Sequence, residues 1–148
     1  MRISARARYG IKAMLELALV YDEKTTSVRS IAQKQNISEL YLEQIFSILK
    51  KGQLIKSVRG AKGGYSLSKN PKDITIKNII DILEGPVSIS DCIEENANCD
   101  NLDRCATRVL WVKIRDAIND IFSSVTLKDI IDEHCKLNFL NIGGVVCE

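Results

Sequence analysis

Three cysteines, Cys92, Cys99 and Cys105, fall within fourteen residues, separated by gaps of six and five. Thiolates are soft donors that favour iron–sulfur clusters and zinc, so a loop carrying three of them can hold either. Three donors leave such a site one short. Asp91, Glu94, Glu95, Asp100 and Asp103 crowd the same stretch and disfavour thiolate formation unless a cation compensates, which supports a cationic occupant. The C-x2-C pairs usual in structural zinc sites are absent. Three reduced thiols without a ligand, open to oxidation, are the remaining reading. His134 or a partner's carboxylate can complete the site, although a lone histidine at a helix end also serves simply as a favourable charge. Other catalytic chemistry is missing: there is one histidine, no nucleophile–base pairing by spacing and no cofactor fingerprint, so an enzyme is not expected.

A second set of residues suits nucleic acid. Between Val28 and Leu67, apolar Val28, Ile31 and Ala32 fall at helical spacing, and Asn36 tolerates the turn that follows. Ser38 can cap a second helix whose Leu42, Ile45, Phe46 and Leu49 form one buried stripe, with Gln44, Ser47 and Lys51 opposite. Gly52 stands where a left-handed C-terminal cap is wanted. This is the spacing of a helix-turn-helix. Leu54 to Val58 and Tyr65 to Leu67 can then pair as strands around Arg59-Gly60-Ala61-Lys62-Gly63-Gly64, a glycine-rich wing with two cations, Arg59 and Lys62. The Gln44 amide and Glu43 carboxylate can read base edges in the major groove, and Ser38 and Tyr41 can add phosphate or base contacts. Arg59 is long enough to enter a narrow minor groove. A phosphate-cradling P-loop is excluded, because Lys62 is followed by Gly63 and not by Ser or Thr.

The elements that must position these residues follow from pattern. Ser4 to Tyr21 reads as a first helix with Ala7, Ile11, Met14, Leu15 and Ala18 as its apolar stripe and Gly10 as a weak point. Arg2, Arg6, Arg8 and Lys12 crowd its start against the helix dipole, so an outside anion is expected there; DNA backbone is the economical candidate for Arg2 and Arg8. Thr75 caps a helix through Glu84, with Ile76, Ile79, Ile80 and Leu83 apolar, and Gly85-Pro86 stops it. Periodicity is lost from 87 to 105. It returns from Ala106 to Ser123, where Leu110, Ile114, Ala117, Ile118 and Ile121, widened by Val109, Trp111 and Val112, exceed what a small domain needs and point to a dimer interface. Thr126 and Asp129 resemble a capping box opening a short last helix to about His134. The expected fold is mainly α with a small β-hairpin wing, a winged helix-turn-helix with a long C-terminal dimerisation helix. Its divisions are a DNA-binding domain over 1–85, a cysteine-containing sensor loop over 86–105, dimerisation and last helices over 106–134, and a loose tail over 135–148.

Net charge of +2 conceals an asymmetry. Residues 1–69 hold thirteen Lys+Arg against five Asp+Glu, whereas residues 70–148 hold eight against fourteen. The basic half can neutralise phosphates; the acidic half would be repelled from a duplex. Five cysteines, an odd number, argue against a disulfide framework. No apolar run is long enough to span a bilayer and no signal peptide is recognisable, so a cytoplasmic location is expected.

The segments MRISARARYGIKAMLELA, SIAQKQNISELYLEQIFSILKKGQLIKSVRGAKGGY, LWVKIRDAI and TLKDII resemble the Rrf-two family of bacterial winged-helix regulators, over residues 1 to about 133. That resemblance implies a homodimer held by the long helix, recognition through the helix of Tyr41, Glu43 and Gln44, and a wing arginine matching Arg59. IscR-like members bind a [2Fe-2S] cluster through three cysteines, matched here by Cys92, Cys99 and Cys105, and a histidine, whose position holds Arg108. NsrR-like members take an N-terminal aspartate, whose position is Arg8. LEGPVS and the dimer-helix segment look most like CymR-like members, which bind no cluster and act with a cysteine-synthesis enzyme. The chain thus mixes features of a cluster-modulated repressor with those of a cluster-free regulator of cysteine metabolism.

Overall fold

A computed structural model of the chain describes residues 3–61, 63–94 and 97–142, the last three by backbone only. Among these residues, α1 (Ala5–Ala18), α2 (Val28–Gln35), α3 (Glu39–Lys51), β1 (Ile55–Val58), β2 (Gly64–Leu67), α4 (Ile76–Glu84), α5 (Ala106–Ser124) and α6 (Leu127–Ile142) follow in order. This is the winged helix-turn-helix that the periodicity predicts. No helix is long and apolar enough to cross a membrane among the described residues.

Capping residues set most helix starts. Ser4, Ser27 and Ser38 accept from the backbone N–H three residues on, which satisfies an otherwise orphan donor. Thr75 and Asn78 form a reciprocal capping box at α4. α1 is rotated relative to the expected stripe: Ala7, Gly10, Ala13, Met14, Leu17 and Ala18 are buried, while Ile11 and Leu15 are only half-buried. Small residues cause the difference. A Cβ on Gly10 would overlap Leu83 Cδ1, so the glycine read as a weak point is where α4 comes closest to α1. Arg6 is drawn into the same contact, donating to the Leu83 carbonyl at 3.3 Å, and Ser4 Oγ donates to Glu84 at 2.5 Å.

The helix-turn-helix closes where Asn36 adopts φ 52°, a left-handed conformation to which asparagine is suited. Ile37 N–H then returns to the Ala32 carbonyl at 2.9 Å, and the Ile37 side chain is buried. Glu16 of α1 is also buried, and it accepts from Lys34 Nζ and Gln35 Nε2, both at 2.6 Å, so a charge inside the domain is paired and fixes α2 on α1. α3 buries Leu42, Ile45, Phe46 and Leu49 as its spacing predicts. Its end differs. Gly52 has φ −74°, and the left-handed residue is Gln53 at φ 60°. Gly52 is needed for space instead, because a Cβ there would lie 2.6–2.9 Å from three atoms of Ile82.

The hairpin pairs Ile55 with Leu67 and Val58 with Gly64. Thr26 adds an antiparallel bridge to Tyr65, with reciprocal backbone bonds of 2.9 and 2.8 Å, and the Tyr65 ring meets Phe46 edge-on at 4.8 Å. Among the described residues between α4 and α5, the one helical stretch is a 3-10 turn at Asp91–Ile93. Two backbone bonds then return the chain to the first domain: Ile76 N–H to Val125 carbonyl and Leu127 N–H to Ile74 carbonyl, both 2.9 Å. Leu127 is fully buried. Thr126 and Asp129 form the expected capping box, and the Thr126 hydroxyl and backbone N–H hold the Asp129 carboxyl below its ordinary pKa. The helix they open does not stop near His134. It continues to Ile142, so 135–142, expected as loose tail, are helical, and 143–148 lie outside the described residues.

Gly52→Ala should lower stability by roughly 1–3 kcal/mol through overpacking against Ile82. Gln53→Gly should not destabilise, since it relieves a left-handed non-glycine residue. Urea unfolding of both variants distinguishes space from conformation as the reason for the glycine.

Candidate nucleic-acid interface and cysteine loop

α3 divides cleanly between core and water. Opposite its buried stripe, Glu39, Leu40, Glu43, Gln44 and Ser47 are exposed. Glu43, Gln44 and Ser47 therefore share one open face, as expected of base-reading residues. Ser38 is exposed, but its hydroxyl already accepts from Tyr41 N–H at 3.5 Å as the cap of α3. Tyr41 is half-buried; its ring stands edge-on to Tyr9 of α1, centroids 6.0 Å apart, and packs against the core. Leu40 was not anticipated. It is 68% exposed, and the available signal was its absence from the 42/45/46/49 stripe.

The wing flanks this face. Arg59 is exposed just beyond β1, and the turn closes through Gly63 N–H to the Gly60 carbonyl at 2.8 Å. A Cβ on Gly63 would come within 2.5 Å of the Val58 carbonyl oxygen and 2.7 Å of that of Gly60, so the tip requires glycine there. Lys50 of α3 donates to Ser57 of β1 at 2.7 Å and joins helix to wing. Arg8 is exposed on the first turns of α1. Arg2 and Lys62, the other two cations assigned to DNA, lie outside the described residues. Exposed side chains and glycine-bounded turn form a surface that can follow a duplex: a helix for the major groove and an arginine-tipped hairpin for the backbone or minor groove.

The three cysteines are placed differently from one another. Cys92 is half-buried beside Ser90 Oγ at 3.2 Å, and Cys99 is exposed. Cys105 occupies the N-cap position of α5, with Thr107 Oγ1 3.1 Å from its sulfur. The Thr107 hydroxyl, followed by the Arg108 backbone N–H, holds the Cys105 thiol below its ordinary pKa. Arg108 Nε donates to the Cys92 carbonyl at 3.1 Å and ties the loop to α5. A cleft of about 830 Å³ between this loop, α4 and α5 includes Cys92, Cys99, Lys77 and Arg115 in its lining. As donors, three thiols suit an iron–sulfur cluster. As arranged, they do not fit one: among the described residues no three Cys, His, Asp or Glu side chains come together to hold a metal, and the side chain that α5 sends to this loop is a cation, Arg108, on the Cys92 carbonyl.

A family model described as Rrf2, iron-dependent transcriptional regulator, matches residues 3–133. The transcriptional regulator CymR of Bacillus subtilis is 45% identical over 130 residues, which cover 88% of this chain and 89% of the relative. IscR of Pectobacterium atrosepticum is 37% identical over 138 residues, covering 93% and 84%. Among solved structures, that of B. subtilis CymR, titled a global cysteine regulator, has a TM-score of 0.78 at 44% identity, covering 90% of this chain and 98% of its own. T. potens IscR has a TM-score of 0.78 at 36% identity, covering 93% and 90%. These relatives are regulators, not enzymes, and with them this chain belongs to the Rrf2 family of DNA-binding transcriptional regulators.

Proposed function

We propose that the chain acts as a homodimer on operator DNA, as a repressor of genes of iron–sulfur or cysteine metabolism. The observation that carries this is the open face of α3, with Glu43, Gln44 and Ser47 exposed on a helix that Lys50 joins to the wing carrying exposed Arg59. α5 supports the dimer. It has nineteen residues, none buried, although Val109, Leu110 and Ile121 are large and apolar and each is about half exposed or more. A second copy seated there removes that surface from water and sets two α3 helices about one turn of B-DNA, roughly 34 Å, apart. Arg59 enters the minor groove, Glu43 and Gln44 read base edges, Ser47, Ser38 and Tyr41 add contacts near the phosphates, and Arg2, Arg8 and Lys62 add positive charge.

The loop of Cys92, Cys99 and Cys105 is the signal-receiving part in this reading. It precedes α5 directly and is tied to it by Arg108, so a change in the loop alters how α5 meets its partner and hence the angle between the two reading heads. Three states of the loop are in play. A [2Fe-2S] cluster on the three thiols is supported by their softness and by the likeness to IscR, and it requires the loop to close from the arrangement described. A cluster-free loop, controlled by thiol oxidation or by a partner such as a cysteine-synthesis enzyme, is supported by Arg108 at the histidine position and by the likeness to CymR. Zinc on the same thiols is the third state.

Three experiments test these assignments. Leu110→Glu should convert the dimer to monomer in sedimentation and abolish operator binding; a variant that stays dimeric removes α5 as the interface. Arg59→Ala should weaken binding most at sites with narrow minor grooves, whereas equal weakening on all sequences would make it a phosphate contact. Iron and sulfide should be found at two each per chain after anaerobic purification if the cluster is present, and a colourless, iron-free protein with full DNA affinity leaves the cluster-free reading.

A further inference from the structure

Four of the five exposed residues named on the outer face of α3 are polar, and the fifth is Leu40. At 68% it is the most exposed large apolar side chain among the described residues, and it takes no part in the apolar cluster on which α3 sits. Its place is specific. Leu40 is the second residue after the cap Ser38, and Glu43 and Gln44 follow it by three and four residues, one turn along the same stripe. Side chains on a helix lean toward its N-terminus, and a recognition helix presents its N-terminal residues to the bases. Leu40 is therefore at the leading edge of the face assigned to DNA.

A lone leucine flanked by carboxylates and an amide is a poor docking surface for a protein, which needs a contiguous apolar patch of several hundred Å². It is well matched to one small apolar group. On the base edges of the major groove that group is the C5-methyl of thymine, and leucine can contact it while Glu43 and Gln44 hydrogen-bond to neighbouring edges. We infer that Leu40 is a specificity-determining residue that packs on a thymine methyl in each operator half-site. This rests on the reading of α3 as the DNA-contacting helix.

The test begins with selection of binding sites by the full-length protein from a random duplex library. Each thymine of the enriched site is then replaced in turn by deoxyuridine, which removes the methyl and nothing else. Wild-type protein should lose roughly fourfold in affinity at one thymine per half-site, the worth of one buried methyl group. Leu40→Ala should bind the parent site at least that much more weakly and be indifferent to deoxyuridine at the same position, the signature of a coupled pair. Its melting temperature should be unchanged, because the side chain is exposed. If no deoxyuridine weakens the wild type, or if the variant keeps the full sensitivity, the Leu40 inference is overturned while the DNA-reading role of α3 stands. If the wild type enriches no sequence at all, both are overturned together.

Discussion

The two backbone hydrogen bonds that join the Ile74–Ile76 strand-like segment to Val125 and Leu127 hold the molecule's halves in one frame. Without them the last two helices would depend on side-chain contacts alone for their place on the winged helix. With them, fully buried Leu127 enters the same core as Ile74, Met14 and Phe46, and α6 lies along α1. Buried backbone donors and acceptors cost free energy unless paired, so this junction is fixed by hydrogen bonding as well as by apolar contact. The cysteine loop, the helix that follows it and the helix-turn-helix are thereby parts of one packed body, which is the physical condition that the coupling proposed above requires.

Much of this was legible in the sequence, and the reasons differ by element. α3 and α4 were readable because their apolar residues are large and regularly spaced, and because Ser38 and Thr75 mark their starts. The wing was readable from glycines between short strands. What was hidden is instructive. The buried face of α1 depends on Ala7, Gly10 and Ala13, whose smallness matters only against the partner Leu83, and a hydrophobicity pattern gives small residues little weight. Gly52 was assigned the right position for the wrong reason: a conformational role is written in local sequence, whereas the demand for space comes from Ile82, thirty residues away. The length of α6 was missed because Asn138 and the mixed residues after His134 carry no clear stripe.

The cysteine loop shows where residue type and residue placement diverge. By type, three thiols in a short acidic segment point to one shared site. By placement, Cys105 is absorbed into the first turn of α5, where Thr107 and Arg108 stabilise its sulfur, and Cys92 is held through its carbonyl by the Arg108 side chain. The same arginine thus supports one thiol through the backbone and anchors another residue through its guanidinium. Spacing alone cannot reveal such sharing, because it depends on which side chain swings back over the loop.

The base of the wing has a consequence of its own. Thr26 and Tyr65 exchange backbone bonds, Phe46 braces the tyrosine ring, and a Cβ on Gly64 would strike the Thr26 carbonyl, so the hairpin is clamped where it leaves the domain. In the DNA-binding reading proposed above, residues already held this way are not ordered anew on contact, which spares about 1–2 kcal/mol of backbone entropy for each.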